Sequence, residues 1–273
     1  MVSTSFHRVI AFAQFEFSRF LFSKRGLVAI ISYLAIWALI LTNVVAKGAA
    51  FFKNPQFERF ITQILGEVGL ENLSSWPVPE LIVFWLVAVL TFPFFAMFSS
   101  ADQLCGDKAR GTIRFLLLRA KREDLLLGRF LGQVLVVSSF ILLALIASNI
   151  LIVWNDSTQL AAALNLSSSI FIDLVFVVLP MIAFMLLLNV YSTSSKQAIV
   201  HCLLLLTLGS IIIGLLAEYV WQGLELLSYL LPNANLFNTL SLSASKAEQY
   251  LLPVAQTVAY GALTFTLFKK QGV

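Results

Sequence analysis

Two histidines, His7 and His201, and two cysteines, Cys105 and Cys202, are the side chains of this sequence best suited to nucleophilic or soft-ligand chemistry. Neither pair builds a site. Zinc takes three or four His, Cys or carboxylate ligands, and no H-E-x-x-H run is present. There is no G-x-x-x-x-G-K-[ST] loop to cradle phosphates, so the chain does not bind ATP by that route. A protease working inside a membrane needs Ser and His paired at depth, whereas His201 sits at the end of an apolar run beside Cys202. Glu80, Asp173 and Glu218 also fall at the ends of apolar runs. Ion-coupled carriers place such groups near mid-depth. What is left is recognition rather than bond-making. Segment 102–129, DQLCGDKARGTIRFLLLRAKREDLLLGR, carries seven Lys and Arg residues, and Ile113, Leu116, Leu117 and Ala120 recur at i, i+3, i+4 and i+7 of one helical face. A basic amphipathic helix of this kind fits either a docking surface for a protein partner or attachment to anionic lipid, and the residues alone leave both open.

The elements that must position this segment follow from composition. Of 273 residues, 59% are hydrophobic and 12% charged. A soluble domain carries roughly 25% charge, so an ordinary soluble enzyme, a disordered chain and a nucleic-acid-binding module are all excluded. Six stretches reach the ~20 apolar residues that cross a hydrocarbon core: 26–46, 80–101, 130–154, 171–190, 199–219 and 250–268. Each is predicted to be a helix, because only a helix satisfies its own backbone polar groups in lipid. The expected fold is an all-α membrane protein, a single transmembrane domain over 1–273.

Charge then orients it. Lys47, Lys53, Arg59 and Lys246 fall on one side of the predicted spans, and the other fourteen of the eighteen Lys and Arg fall on the opposite side with both termini. The excess of cations marks the cytoplasmic face. Outer segments are expected at 47–79, 155–170 and 220–249. Phe6, Val9, Ile10, Ala13, Phe17, Phe20 and Leu21 form one face of a helix, read as an interfacial helix on the inner leaflet. A second stripe, Phe57, Phe60, Ile61, Ile64, Leu65 and Val68, lies in the first outer segment, and Trp221 to Leu231 suggests a short helix before Pro232.

Asp107, then Gly111-Thr112-Ile113, then a basic cluster, then Leu126-Leu127-Gly128-Arg129 resembles the permease subunits of the type-2 ATP-binding-cassette exporters. Their pattern is an acidic "E-x-G-T-[LI]" segment, a "P-x-[ST]-R" turn and "L-L-x-G-[KR]". The middle departs, with Ala120 where Pro is common and Lys121-Arg122 in place of the rest of the turn. The layout agrees along the chain, including Gln14-Phe15-Glu16-Phe17 in the N-terminal helix.

The resemblance implies a multi-pass plasma-membrane subunit, of a bacterial inner membrane, that forms a homodimer and translocates a substrate. Hydrolysis would occur in a separate cytosolic ATPase, which would hold ATP and Mg; no cofactor or metal is expected in this chain. Membrane lipid is a further partner, and the resemblance leaves room for an extracytoplasmic one. Segment 102–124 would be the coupling element, with Asp107, Arg110, Gly111, Thr112, Arg114, Arg122, Gly128 and Arg129 as the residues that carry it. Gly111 would permit a turn or close approach, and Arg110, Arg114 and Arg122 would meet carboxylates of the ATPase. The second and fifth spans would line the pathway, through Thr91, Phe95 and Phe98 and through Thr207, Ser210, Ile211 and Gly214. Such a lining suits an amphipathic or lipid-like cargo. Two other classes fit the residues alone: an ATPase-independent channel or carrier, and a membrane anchoring subunit of a larger complex.

Overall fold

The computed structural model describes residues 2–47, 76–232 and 246–270, together with 56, 59, 62, 63 and 234. No strand occurs among the described residues, and six of the helices are long and apolar enough to cross a membrane. The amphipathic stripe from Phe57 to Val68 lies outside the described residues.

The chain opens with α1 (Val2–Phe22) and turns at Ser23 into α2 (Lys24–Asn43). Ser23 caps α2, its hydroxyl accepting from the Gly26 amide at 2.9 Å. The second span is α3 (Pro79–Ser99), with Pro in its first turn, where a missing N–H costs nothing. Two short helices follow, α4 (Cys105–Ala109) and α5 (Thr112–Arg119). The remaining spans are α6 (Arg122–Asn155), α7 (Leu160–Tyr191), α8 (Ser195–Tyr219) and α9 (Lys246–Lys270).

Two boundaries differ from expectation. Helix α6 starts eight residues before the predicted span, inside the basic segment, with Glu123 and Asp124 in its first turn, where carboxylates favour a helix start. Helix α7 starts at Leu160, so the connection expected over 155–170 shrinks to Asp156–Gln159. The polar residues that mimic a loop there are used across helices. Asn149 of α6 donates to the Ser167 hydroxyl of α7 at 2.8 Å, a bond that holds two apolar helices together. Asp156 makes the tight turn, accepting from the Thr158 hydroxyl at 2.6 Å and the Thr158 amide at 3.0 Å. With a further bond from Gln159, these hold its carboxyl below the usual carboxylate range. The expected helix after Trp221 is a 3-10 segment, Gln222–Leu230.

Helix α7 is the hub, packed against α3, α6, α8 and α9. Helices α3 and α7 are apolar on all sides, as buried helices are. Between α2, α3 and α6 lies a cluster of rings. Trp37 stacks on Phe92 at 5.4 Å, Tyr33 meets Phe140 edge-on at 4.6 Å, and Phe95 lies 4.8 Å from Phe140. Helix α2 contributes one stripe, Tyr33, Trp37 and Leu41, at helical spacing. Helix α8 stands at the edge and buries little beyond Ala198, Cys202 and Ala217. Both α1 and the end of α9 lie at the same end of the bundle as α4 and α5, in contact with the start of α6.

Candidate functional site

The basic segment is bolted to the bundle at several points. Gly111 separates α4 from α5 and adopts φ +68°, a left-handed conformation that glycine enters without strain. Among the described residues no atom lies within 4 Å of where its Cβ would sit, so the glycine serves the turn. Ile113 is buried, with Leu116 and Leu117 half-buried beside it, against Leu104, Leu125, Leu126, Leu186, Val190 and Phe268. The predicted stripe of α5 therefore faces the bundle. Its other face holds Arg114, Arg119, Phe115 and Leu118, the last two 71% and 82% exposed. At Ala120 the backbone turns extended, yet its N–H still donates to Leu116 at 3.0 Å. Proline, common at this place in the resembling pattern, could not make that bond.

Beneath α5 sits a buried ion cluster. The Asp107 carboxylate accepts from the Thr112 hydroxyl at 3.0 Å and from Arg110 at 3.3 Å. It also pairs with Arg129 of α6. Arg129, 1% exposed, reaches across to Glu16 of α1, and Glu16 pairs with Arg19 at 3.1 Å. One guanidinium thus bridges two carboxylates that are 6% and 7% exposed, and ties three segments together. Arginine's fixed fork suits that double task. A second tie lies one turn away, where Asp124 accepts from Ser5 and pairs with Arg8 at 3.7 Å.

Helix α1 approaches α6 closely enough to make these pairs because of two glycines. A Cβ on Gly128 would lie 2.4 Å from that of Phe12, and one on Gly132 would lie 2.6 Å from that of Glu16. Four residues apart on one helix face, they form the flat small-residue groove that lets two helices touch backbone to backbone. The spacing Gly128-x-x-x-Gly132 was the available signal for this contact; Glu16 gave no such signal.

The segment also grips the ends of the other spans. Lys108 donates to the carbonyls of Asn189, at 2.7 Å, and Val190, at the C-terminal end of α7. Arg122 donates to the carbonyls of Phe268 and Lys269, both at 2.8 Å, at the C-terminal end of α9. Buried Asn189 donates to the Ser100 carbonyl at 3.2 Å and accepts from the amides of Leu104 and Cys105 at 3.4 Å. Asp102 accepts from Ser195, in the first turn of α8, at 3.0 Å.

The proposed coupling residues therefore separate into groups. Asp107, Arg110, Thr112 and Arg129 come together in the cluster, with Gly128 beside it. Arg122 is engaged at the end of α9, and Arg114 projects from the exposed face of α5. The pathway candidates scatter. Phe95 belongs to the ring cluster, Phe98 is 57% exposed, and the Thr91 hydroxyl bonds the Val87 carbonyl of its own helix at 2.8 Å. Thr207, Ser210, Ile211 and Gly214 lie on exposed positions of α8.

The family described as "ABC-2 family transporter protein" matches residues 12–273. No curated protein matches the sequence. A match over nearly the whole length, across every element described above, shows that this chain belongs to the ABC-2 family of transporter membrane proteins.

Proposed function

We propose that this chain is the permease half of an ATP-driven exporter, that two copies form the translocation unit, and that each binds a separate cytosolic ATPase through residues 102–124. The observation that carries this reading is the attachment of segment 100–122. It is held by α6, α7, α8 and α9, and through Arg129 it is tied to α1; it turns outward a face of Arg114, Phe115, Leu118 and Arg119 that has no partner among the described residues. A force applied to α5 reaches the ends of four spans through hydrogen bonds and ion pairs, not through flexible chain. The cation asymmetry supports an orientation with this end of the bundle, and both termini, on the cytoplasmic side. Helix α8 supports a second copy as partner, since most of its length is exposed and its hydroxyl-bearing face belongs to the expected pathway.

The test is capture of the ATPase. The chain, purified from its host, is expected to bring with it a subunit carrying a G-x-x-x-x-G-K-[ST] loop. Reversing Arg114 and Arg119 to Glu should remove that subunit, because lost charge pairs at an interface cost about 2–5 kcal/mol. Attachment to anionic lipid alone would weaken by about 1 kcal/mol per charge and leave capture unchanged. An undiminished ATPase band with the double variant refutes the coupling role of α5.

A further inference from the structure

A cavity of about 650 Å3 opens at the basic end of the bundle, between the turn joining α1 to α2, the end of α3, the first turn of α8 and one face of α6. Its size falls in the range of small-molecule sites, ~300–1,000 Å3. Phe20, Phe95 and Phe98 give it an apolar wall, which Phe98, 57% exposed, carries out to the surface of α3. The charge around it is positive. Glu16, Arg19, Lys24, Asp102 and Arg110 line it, and Glu16 and Arg110 continue through Arg129 and Asp107 into the buried cluster. Among these seven groups four cations stand against three anions. Arg25 and Lys196, next in sequence to Lys24 and Ser195, are further cations. A cavity of this balance draws an anion.

The polar groups also ask for donors. Gln103 is 3% exposed, and neither its amide oxygen nor its amide nitrogen has a hydrogen-bond partner among the described residues. A primary amide offers two donors and an acceptor, and buried polar groups are nearly always satisfied. Asp102 accepts from the Ser195 hydroxyl at 3.0 Å through Oδ1, and its other oxygen has no partner among the described residues. A ligand that answers the rim, the amide and the carboxylate together must carry negative charge and also donate hydrogen bonds. A phosphodiester only accepts. An ammonium donates, but it would add a cation to a rim that is already positive. Hydroxyl groups donate and accept without charge.

We propose that this cavity holds an acidic phospholipid whose phosphodiester head bears free hydroxyls, as a phosphoglycerol head does. The phosphate lies by Lys24 and the half-buried Arg19, the hydroxyls bond Gln103 and Asp102, and the acyl chains leave along Phe95 and Phe98. Basic pockets between the ends of spans are where acidic head groups bind. Seated there, the lipid joins the turn between α1 and α2 to the ends of α3 and α8. The inference needs only a chain that spans a membrane, and it does not depend on how an ATPase docks.

The test uses the purified chain in phosphocholine nanodiscs and three photoactivatable phospholipid probes that share one diazirine-bearing acyl chain, headed by phosphoglycerol, phosphomethanol or phosphocholine. The phosphomethanol head has the charge without the hydroxyls. The phosphoglycerol probe is expected to label residues 95–103 saturably, about fivefold more strongly than phosphomethanol and more strongly still than phosphocholine. Lys24→Gln should lower labelling by both anionic probes about fivefold, the loss of one cation beside an acidic head group. Gln103→Met should erase most of the advantage of phosphoglycerol over phosphomethanol. Lys24 is exposed and the Gln103 side chain makes no hydrogen bond among the described residues, so both variants retain the fold. Labelling by phosphocholine or phosphomethanol as strong as by phosphoglycerol overturns the proposal, as does a phosphoglycerol advantage that Gln103→Met leaves intact. Free glycerol 3-phosphate that displaces the probe as well as unlabelled phosphatidylglycerol does would overturn it too, because the ligand would then be soluble and not a lipid. Both variants leave Arg114 and Arg119 untouched, so ATPase capture on the same preparations reads the coupling role separately from this site.

Discussion

Arg129→Met tests whether the buried cluster holds α1 in place. The side chain is 1% exposed and satisfies Glu16 on α1 and Asp107 on α4. Methionine fills similar space without charge and leaves two buried carboxylates short of a partner. Breaking a buried ion pair by removing one member costs about 3–5 kcal/mol. Glu16 keeps Arg19 at 3.1 Å and Asp107 keeps Arg110 at 3.3 Å, so the low end applies. A loss of about 3 kcal/mol is roughly a hundredfold in the population of molecules with α1 detached. Amide hydrogen exchange on the purified protein in nanodiscs reads this directly. Amides of α1 should lose protection about a hundredfold, while those of α7, at the hub, should stay as they are. Arg129→Lys should fall between, because one ammonium does not reproduce the two-sided fork. The triple variant Glu16→Gln, Asp107→Asn, Arg129→Met should recover most of the protection, since removing a whole buried cluster is far cheaper than removing one member. Unchanged exchange in α1 on Arg129→Met refutes the reasoning. Equal loss in α1 and α7 refutes it too, because the cluster would then support the whole bundle and not one helix.

Gly132→Leu forces a side chain into a gap where even a Cβ would lie 2.6 Å from Glu16, so α1 should become sensitive to protease in the purified protein, at a cost of about 1–3 kcal/mol or more; the same change at Gly214, where no described residue lies within 4 Å, should have no such effect. Single cysteines report sidedness: a membrane-impermeant thiol reagent should reach position 158 in intact cells and position 119 only after permeabilisation, with little background because Cys105 and Cys202 are both buried. Labelling of position 119 from outside would reverse the orientation.

The six spans were legible from hydropathy because length and apolarity are properties of each segment alone. The boundaries of α6 and α7 were not. Helix α6 reaches back over Arg122, Glu123 and Asp124, charged residues that look like loop until Arg122 finds the end of α9 and Asp124 finds Arg8. Helix α7 runs forward over Asn165 and Ser167 because Asn149 answers one of them. The site was legible as a segment and hidden as a network. Counting cations treats Arg129 like Arg114, yet one is buried between two carboxylates and the other projects outward. Periodicity shows that Thr91, Phe95 and Phe98 share a side of α3, but not that the rings of Tyr33 and Phe140 occupy part of it. Such facts depend on which helix comes to lie alongside, and sequence spacing within one helix does not carry them.

Lys108 and Arg122 grasp their partner helices by main-chain carbonyls, and this has a consequence for how the protein tolerates change. Every amino acid supplies the same carbonyl, so the four receiving positions, Asn189, Val190, Phe268 and Lys269, hold no side-chain record of these four bonds. The dependence runs one way. A saturation scan should find the donors hard to replace and the acceptors forgiving wherever packing allows, and pairwise covariation across variants should be silent on both contacts. Two of the ties between the basic segment and the bundle are thus inherited through single residues, and apart from Asn189, whose side chain makes bonds of its own, the ends of α7 and α9 can drift in sequence without these two ties being lost.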